Sequence, residues 1–535
     1  MIRLGIDFGT ANTVVCTWND ELEIGEPLFL EGLDQLRPGS HGIDQRVIPS
    51  ICAFGKTQEV KLFGSQVNSF IGDKDELQIF RYTKSVATNR VANNPVPVHG
   101  GSLRPKEAAS EFLQQVIANA LIAVDDPDVE LVLTAPIEAF DEYRDWLIHN
   151  VTDPLGISRI RIVDEATAAA VGYSQKLSPD DAILVFDFGA GTLDITVVVI
   201  EKGAEGTLSS GVRTIAKRGS DLGGKHIDNY LIRSCINYWG IPTGDTRLQK
   251  SFQSLLMEKV ELAKIQLTGE FESLVEVVHP DTGVVLNRSI SRNDFEQILD
   301  DEDFLGSVAR LLRSTLDEAA NKGILAEDLK GVFMVGGTSL IPCVGKIVRQ
   351  QFPPERLFYD RPLEAVARGA ASIAGGRELT DYIQHDYSIR HIEPETGAYQ
   401  FPVIVKAGSS YPSEGPLYSK NIRATYDGQI QLGIQIFEIA NRVSSESSAN
   451  LEMQVDSDGS FRLVQVTAQN REEQRSVWLN ENSPTFLEAN PPAKAFIDRF
   501  RVDFFIDQFK RLTISAFDLE RGIWVLTNQP VIRLS

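Results

Sequence analysis

A chain of 535 residues is longer than one hydrophobic core usually supports, so two or more domains are expected. Its 42% hydrophobic and 24% charged residues are ordinary for a globular protein, and exclude a fibrous or low-complexity chain. A net charge of −22 leaves no surplus of cations to neutralise phosphates, which argues against nucleic acid as a main partner.

The N-terminus opens directly into a strand pattern, Met1-Ile-Arg-Leu-Gly-Ile-Asp7, without the basic and apolar regions of a leader. No uncharged apolar run approaches membrane-spanning length, so no membrane partner is expected. Cys16, Cys52, Cys235 and Cys343 show no CxxC spacing and read as reduced, mostly buried thiols of a cytoplasmic protein.

Along the chain, residues 4–6 are an apolar strand run closed by Asp7 and a turn containing Gly9 and Thr10, with a return strand at 13–17. Residues 106–124 predict a helix whose apolar stripe is Phe112, Leu113, Val116, Ile117, Ala120, Leu121 and Val124. A strand follows at 131–133. Asp164-Glu-Ala-Thr-Ala-Ala-Ala170 opens a helix of small residues that must pack tightly. Glu165, at its N-terminal end, suits either the helix dipole or the ordering of a metal-bound water. Another strand at 184–186 meets Asp187, then Gly189, Ala190, Gly191 and Thr192, with a return strand at 195–200 carrying Asp194 nearby. On a helix over 257–267, Glu261 and Lys264 fall three residues apart on one side, which alone reads as a surface ion pair. A strand at 332–335 ends in Gly336-Gly337-Thr338, ahead of a helix beginning near Ile341. Strands alternating with helices predict an α/β architecture up to about residue 375.

Beyond residue 380 helical periodicity fades. Alternating segments at 401–405, 431–437, 461–466 and 512–516, separated by turn-prone clusters, predict a β-rich second domain. Residues 441–460 are polar and serine-rich and read as a loop.

An internal similarity points to the fold. Leu4-Gly-Ile-Asp-Phe-Gly-Thr-Ala-Asn12 is matched by Leu184-Val-Phe-Asp-Phe-Gly-Ala-Gly-Thr192. Two such hairpins predict a duplicated fold whose halves face each other across a cleft. A nucleoside triphosphate needs close backbone N–H groups, a magnesium ion and positive charge. Gly9, Gly189 and Gly191 permit an anion-binding nest, Thr10 and Thr192 add hydroxyls, and Asp7, Asp187 and Asp194 are candidates for a hydrated Mg²⁺. Each aspartate alone would be read as a turn cap; the matched pair points to nucleotide. Gly336 and Gly337 suit close packing against a purine or a phosphate.

With these residues in place, residues 1–376 resemble the heat shock protein 70 family, the DnaK-like chaperones. The resemblance rests on Ile6-Asp-Phe-Gly-Thr-Ala-Asn12, Val185-Phe-Asp-Phe-Gly-Ala-Gly-Thr-Leu-Asp194, Leu222-Gly-Gly-Lys-His-Ile-Asp228, Val335-Gly-Gly-Thr-Ser-Leu-Ile-Pro342 and Asp164-Glu-Ala-Thr-Ala-Ala-Ala170. It implies a duplicated actin-like (ribonuclease H-like) ATPase domain with a deep nucleotide cleft over 1–376, a linker at 377–386, and a β-sandwich-like substrate domain over 387–535. It also implies a slow Mg²⁺-dependent ATPase cycling between ATP and ADP, with unfolded or extended polypeptide segments as clients and a co-chaperone or nucleotide-exchange factor as a further partner. Asp7, Glu165, Asp187 and Asp194 would surround Mg²⁺ and the attacking water, Thr10 would sit beside the γ-phosphate, and Lys84, in Phe80-Arg-Tyr-Thr-Lys84, would be the catalytic lysine. Gly9, Thr10, Ala11, Asn12, Gly189, Ala190, Gly191 and Thr192 would hold nucleotide, together with Gly223, Gly224, Glu261, Lys264, Thr268, Gly336, Gly337 and Thr338.

The chain departs from the family at several of these places. Ala11 stands where a second threonine is usual, Ala190 replaces a glycine, and Ile265 and Leu340 replace arginines that flank adenine. Each loss of an arginine removes about 1 kcal/mol of interaction, so weaker nucleotide binding is expected. Pro136 and Arg144 match residues that transmit nucleotide state, but Ala166 replaces a proline and Gly375-Gly-Arg-Glu-Leu-Thr-Asp-Tyr-Ile-Gln-His385 replaces the leucine-rich linker. Gly408-Ser-Ser-Tyr-Pro412, Gln429-Ile-Gln-Leu-Gly-Ile-Gln-Ile-Phe-Glu438 and Leu512-Thr-Ile-Ser-Ala-Phe-Asp518 look like strands of the substrate domain. With Ser535 as the last residue, the expectation is a lidless site. The alternative expectation is a nucleotide-switched scaffold that docks one dedicated partner. An actin-like filament fits the β-rich part less well, and a sugar kinase lacks a hydroxyl-activating Asp motif.

Overall fold

The structure is a computed structural model and describes residues 2–37, 43–88, 94–126, 128–135, 141–157, 159–173, 177–178, 180–201, 211–242, 246–376, 383, 386–392, 399–406, 409, 411–439, 451–455, 461–465, 476–478, 485–507 and 511–534. Pro136, Gly408 and most of the expected linker at 377–386 lie outside the described residues. The chain separates into two compact units. One comprises Met1–Ile137, Tyr143–Leu379 and Val443–Val466; the other comprises Glu138–Glu142, Thr380–Arg442 and Thr467–Ser535.

The first unit is built from two halves. In the first half, β1 (Ile2–Phe8) turns back into β2 (Asn12–Asn19), which pairs with β3 (Ile24–Pro27). Further on, β4 (Leu77–Arg81) leads into α1 (Thr83–Thr88), and α2 (Pro105–Val124) leads into β5 (Val129–Ala135). Then come α3 (Asp141–Leu147), β6 (Ile160–Asp164) and α4 (Glu165–Tyr173). The second half begins with β7 (Ala182–Phe188), β8 (Leu193–Glu201) and β9 (Gly211–Ser220). It continues through α5 (Gly224–Tyr238), α6 (Thr246–Gly269), β10 (Leu329–Val335), α7 (Pro342–Arg349), β11 (Leu357–Phe358) and α8 (Ala365–Ala374).

Five strands of the seven-stranded sheet in the first half repeat the five-stranded sheet of the second. β1 is antiparallel to β2 and parallel to β5, which is parallel to β6; β7 is antiparallel to β8 and parallel to β10, which is parallel to β11. The third strand of each hairpin, β3 or β9, adds antiparallel to the second. The likeness of residues 4–12 to 184–192 is thus part of a likeness of five paired strands in each half.

Helices α4 and α8 follow the last strand of each sheet and cross with their backbones in contact. A Cβ on Gly369 would lie 1.6 Å from the Ala168 carbonyl oxygen, and one on Gly5 would lie 2.1 Å from the Ala371 amide nitrogen. This close crossing explains why Ala166, Ala168, Ala169 and Ala170 are small, and all are buried. The core of the second half is aromatic and aliphatic, with Phe188 stacked on Phe304 at 5.7 Å between ring centroids.

Predicted elements are found with shifted bounds. In the α2 stripe Phe112, Leu113, Val116, Ile117 and Ala120 are fully buried, whereas Leu121 and Val124 near its end are only half-buried. The helix expected over 257–267 is the longer α6. Helix α2 starts with Pro105, where Glu107 accepts a 2.8 Å hydrogen bond from the Arg104 amide, and ends at a left-handed Asp125. The four cysteines are buried and free. No helix among the described residues is long and apolar enough to cross a membrane.

The second unit is β-rich, and its named strands pair antiparallel. One four-stranded sheet holds Val403–Val405, Asp386–Ile389, Ile436–Ile439 and Ser476–Trp478; another holds Tyr418–Arg423, Asp498–Ile506, Arg511–Asp518 and Ile523–Arg533. Its core gathers Tyr387, Leu432, Leu487, Phe500, Phe504 and Ile514. The strand expected over 431–437 is two strands, Gln429–Ile434 and Ile436–Ile439, which join different sheets. In the first unit, the expected loop at 441–460 contains the strand Leu451–Val455, paired with Phe461–Gln465, and its other residues lie outside the described ones; the hydrophobic alternation of 451–455 is hidden by the serines before it in the sequence.

Candidate functional site

Strand register brings the first acids together. Asp187, near the end of β7, faces Asp194 of β8 directly, while Asp7 at the matching place in β1 faces Val14. Directly opposed side chains sit about 4.5–5.5 Å apart, so two carboxylates there repel unless a cation intervenes. Thr134, on the neighbouring β5, donates a 3.1 Å hydrogen bond to Asp7 Oδ1. Asp164 closes β6 and caps α4, its Oδ1 accepting from the Thr167 amide at 2.8 Å, and Lys217 pairs with it at 3.4 Å. That arrangement leaves Glu165, the first residue of α4, to receive the ammonium of Lys84 from α1.

Burial makes these charges costly. Burial first, then the charge of Glu165, lifts the Asp7 carboxyl to about 7, against the opposing effects of Lys84 and the Thr134 hydrogen bond. Asp187 is raised well above the carboxylate range by burial, Glu165, Asp194 and Asp7 in turn. Burial works against the charge on Lys84, but Glu165, Tyr143 and Asp7 outweigh it and hold the lysine protonated. Among the described residues Lys84 thus faces Asp7, Glu165 and Asp187, with Asp194 opposite Asp187, a balance that a hydrated divalent ion fits. The described residues contain no cluster of three His, Cys, Asp or Glu able to ligate one ion together. The fit is to an ion that keeps most of its waters and takes one or two carboxylates, as Mg²⁺ does.

Three glycine turns converge beside the acids. A Cβ on Gly191 would lie 2.4 Å from Thr10 Oγ1, so the turn after β1 and the turn after β7 face each other. Within the first turn a Cβ on Gly9 would lie 2.2 Å from the Asn12 carbonyl oxygen. The Ser50 hydroxyl donates to the Gly9 carbonyl at 2.7 Å, and the Ser50 amide to the Ala11 carbonyl at 2.8 Å. In the second turn the Gly189 amide donates to the Thr192 carbonyl at 3.0 Å. The Gly189 and Ala190 carbonyls accept from the amides of Gly224 and Lys225, at 3.1 and 2.9 Å, at the start of α5. Gly223 allows this approach, since its Cβ would meet the Ala190 oxygen at 2.4 Å. The third turn joins through Thr338, whose hydroxyl donates to the Gly189 carbonyl at 2.8 Å. Gly336, at φ +78, has the Phe188 oxygen 2.4 Å from where a Cβ would stand. Gly337 follows it in the same turn.

A family model described as Hsp70 protein matches residues 3–473. This chain belongs to the Hsp70 family. It is similar to chaperone protein DnaK of Methanothermobacter thermautotrophicus, at 26% identity over 97% of this chain and 78% of the relative. It is also similar to the chaperone protein DnaK of Deinococcus proteolyticus, at 27% over 70% of this chain, and of Thermus thermophilus, at 26% over 77%. The matched part spans 59% of the Deinococcus protein and 67% of the Thermus one. Hsp70 homologues are ATPases that bind ATP or ADP with Mg²⁺, and the family binds unfolded polypeptides and co-chaperones.

In this Hsp70 chain α6 lines a cavity next to the first turn. A cavity of about 220 Å³ is lined by Thr10, Ala11, Arg81 and Tyr82 from the first half and by Glu258 and Glu261 from α6. Lys264 does not form the surface pair with Glu261 that the sequence suggests. Its ammonium reaches α5, 2.8 Å from Asp228 Oδ1, and lies near the Gly224 carbonyl at 3.4 Å. The Thr268 hydroxyl donates at 3.1 Å to the Lys264 carbonyl, one turn back on its own helix. Arg144, expected to transmit nucleotide state, lies on α3. Ser50, Thr134, Tyr82 and Asp228 were not singled out as site residues by the sequence. Asp228 is the last residue of the glycine motif 222–228, and Tyr82 lies within the segment 80–84 that carries Lys84.

Proposed function

We propose that this chain is an ATP-dependent chaperone-type ATPase that binds and slowly hydrolyses ATP, with its second unit, read as β-sandwich-like, binding unfolded polypeptide segments. The observation that carries this reading is Lys84 held protonated against Glu165, among Asp7 and Asp187, below two turns that meet at Thr10 and Gly191. The domain reading is 1–376 for the ATPase, 377–386 for a linker and 387–535 for the substrate domain.

Asp7, Asp187 and Asp194 would hold Mg²⁺ through its waters, and the ion would neutralise charge on the terminal phosphates. The chain's own residues do the rest. Backbone amides of the turns at 9–12 and 189–192 orient the phosphates, with Gly223, Gly224, Gly336, Gly337 and Thr338 behind them and Thr10 beside the γ-phosphoryl. Glu261, Lys264 and Thr268 line the adenosine side. Glu165 and Asp187 accept hydrogen bonds from the attacking water, and Lys84 donates to the oxygens that gain charge as the bond to the leaving oxygen breaks. Water excluded by burial makes each of these contacts stronger than in solvent.

The test is ATP turnover in Mg²⁺ buffer, with and without an unfolded peptide, for the natural chain and Lys84→Ala. Loss of one preorganised donor to developing charge costs about 10²–10³ in rate, so turnover should fall by that much while nucleotide still binds. Unchanged turnover in Lys84→Ala overturns the assigned role. The departures at Ala166 and at 375–385 favour a second reading, a nucleotide-switched scaffold docking one partner, which predicts ATP binding without peptide-stimulated turnover.

A further inference from the structure

Tyr82 stands between β4 and α1, two residues before Lys84. It is 5% exposed and its φ is +54°, in the left-handed region that bulky side chains rarely enter. Such a backbone persists only where the surroundings over-determine it, and it clusters at functional sites. Here the determining contacts come from the other half of the unit. The Tyr82 hydroxyl donates to Asp228 Oδ2 on α5 at 3.2 Å and lies 3.6 Å from Met257 Sδ on α6.

Asp228 is not a passive acceptor. It is buried at 1% exposure and paired with Lys264, and Lys264 in turn lies near Gly224, whose amide holds the Gly189 carbonyl. A continuous run of contacts therefore connects the second phosphate-binding turn, through Lys264 and Asp228, to Tyr82. Two residues further on is Lys84 and its partner Glu165. Tyr82 also lines the cleft cavity together with Thr10 and Glu261. Burial and the charges of Asp228 and Glu261 keep the phenol protonated, with Arg81 opposing, so the hydroxyl remains a donor at physiological pH. Flanking ties from Lys74 and Arg81 to Glu258, at 3.3 and 3.8 Å, are partly exposed and contribute little by themselves.

We propose that Tyr82 is a positioning residue that joins cleft closure to the placement of Lys84, through its hydrogen bond to Asp228 across the two halves. With the halves together, the bond holds the left-handed turn and delivers Lys84 to Glu165. When they part, the bond breaks, the turn relaxes, and Lys84 withdraws from the acids. An open cleft is then silent in hydrolysis, and closure is favoured by the same contact. This inference rests on the nucleotide-cleft reading above and adds to it the residue that synchronises closure with chemistry.

The experiment uses the full chain with a fluorescent ADP analogue and single-turnover ATP hydrolysis, comparing the natural protein with Tyr82→Phe, Asp228→Ala and the double variant. Phenylalanine keeps the buried ring and removes only the donor. Loss of a hydrogen bond to a charged group corresponds to roughly tenfold to a hundredfold, so Tyr82→Phe should slow the hydrolytic step and speed analogue release by factors in that range. The thermal midpoint of Tyr82→Phe should stay near that of the natural chain, and the double variant should behave like Asp228→Ala alone, because alanine has already taken away the oxygen that the tyrosine hydroxyl donates to. Natural rates in Tyr82→Phe overturn the proposal. So does a lowered thermal midpoint with natural hydrolysis and release, which would mark a merely structural tyrosine. Additive effects of the two substitutions overturn it as well. If Tyr82→Phe does not fold, Asp228→Ala removes the acceptor of the same contact from the other side, and natural release there is equally fatal. If the natural chain binds the analogue without hydrolysing ATP, release rates alone decide. If it binds no nucleotide, the cleft reading itself fails and this inference with it.

Discussion

Asp187 and Asp194 face each other on paired strands, and Asp7 and Glu165 add two more carboxylates to the same buried place. The fold bears that repulsion, and proton binding relieves it. Asp7 shows the sign. Its ordinary value of 3.8 is raised to about 7, by burial and then by Glu165, so the folded chain keeps a proton that the unfolded chain has lost in that range. That part of the stability is full below about 4 and fades as pH rises towards 7. Asp7→Asn removes the effect. Without nucleotide, the thermal midpoint of Asp7→Asn relative to the natural chain should be similar near pH 4 and should gain steadily up to pH 7.5, while Mg²⁺-dependent nucleotide binding is lost. Buried His226, held neutral with a value of about 3, changes stability in the opposite sense with pH, but it is common to both proteins and cancels in the comparison. Calorimetry across that pH range checks this, and a difference constant with pH would refute it.

At the scale of elements, short side chains locate the places where backbones touch. The run from Ala166 to Ala170 is legible as a helix that packs tightly, but its partner is not, since α8 lies some two hundred residues away in sequence. A methyl at Gly369 would stand 1.6 Å from a carbonyl oxygen of α4, and a helix backbone cannot yield there as a side-chain tip can. Gly369→Ala should therefore cost about 3 kcal/mol, read as a lowered urea midpoint. Gly269→Ala is the control: a Cβ there meets nothing within 4 Å, so it should stay within about 0.5 kcal/mol of the natural chain. Equal midpoints for the two variants would show that the crossing is looser than described. The same reasoning explains which boundaries were missed. The strand run at 431–437 reads as continuous because alternation persists through Gln435, while the choice of different pairing partners on either side is made by the sheets.

For the whole molecule, the two units carry separate hydrophobic cores, one around Phe186, Phe188 and Phe304, the other around Tyr387, Phe500 and Phe504. Separate cores predict two cooperative unfolding transitions. Mg²⁺ with ATP should raise the transition of the first unit by about 2.7 kcal/mol at a hundredfold excess over its dissociation constant, and leave the other in place. A single transition, or one unmoved by nucleotide, would contradict that picture.

What the linear order determined by itself was local. Acids at strand ends, glycines in the turns after them, and the echo between residues 4–12 and 184–192 are written in neighbouring positions, because strand period and turn geometry act over a few residues. Only the tertiary structure decided the pairs: Lys84 with Glu165, Ser50 with the Gly9 carbonyl, Lys264 with Asp228, and Tyr82 with Asp228. Each is a buried polar group that had to find a partner once water was removed. That partner is chosen by distance after folding, for which spacing along the chain carries no information.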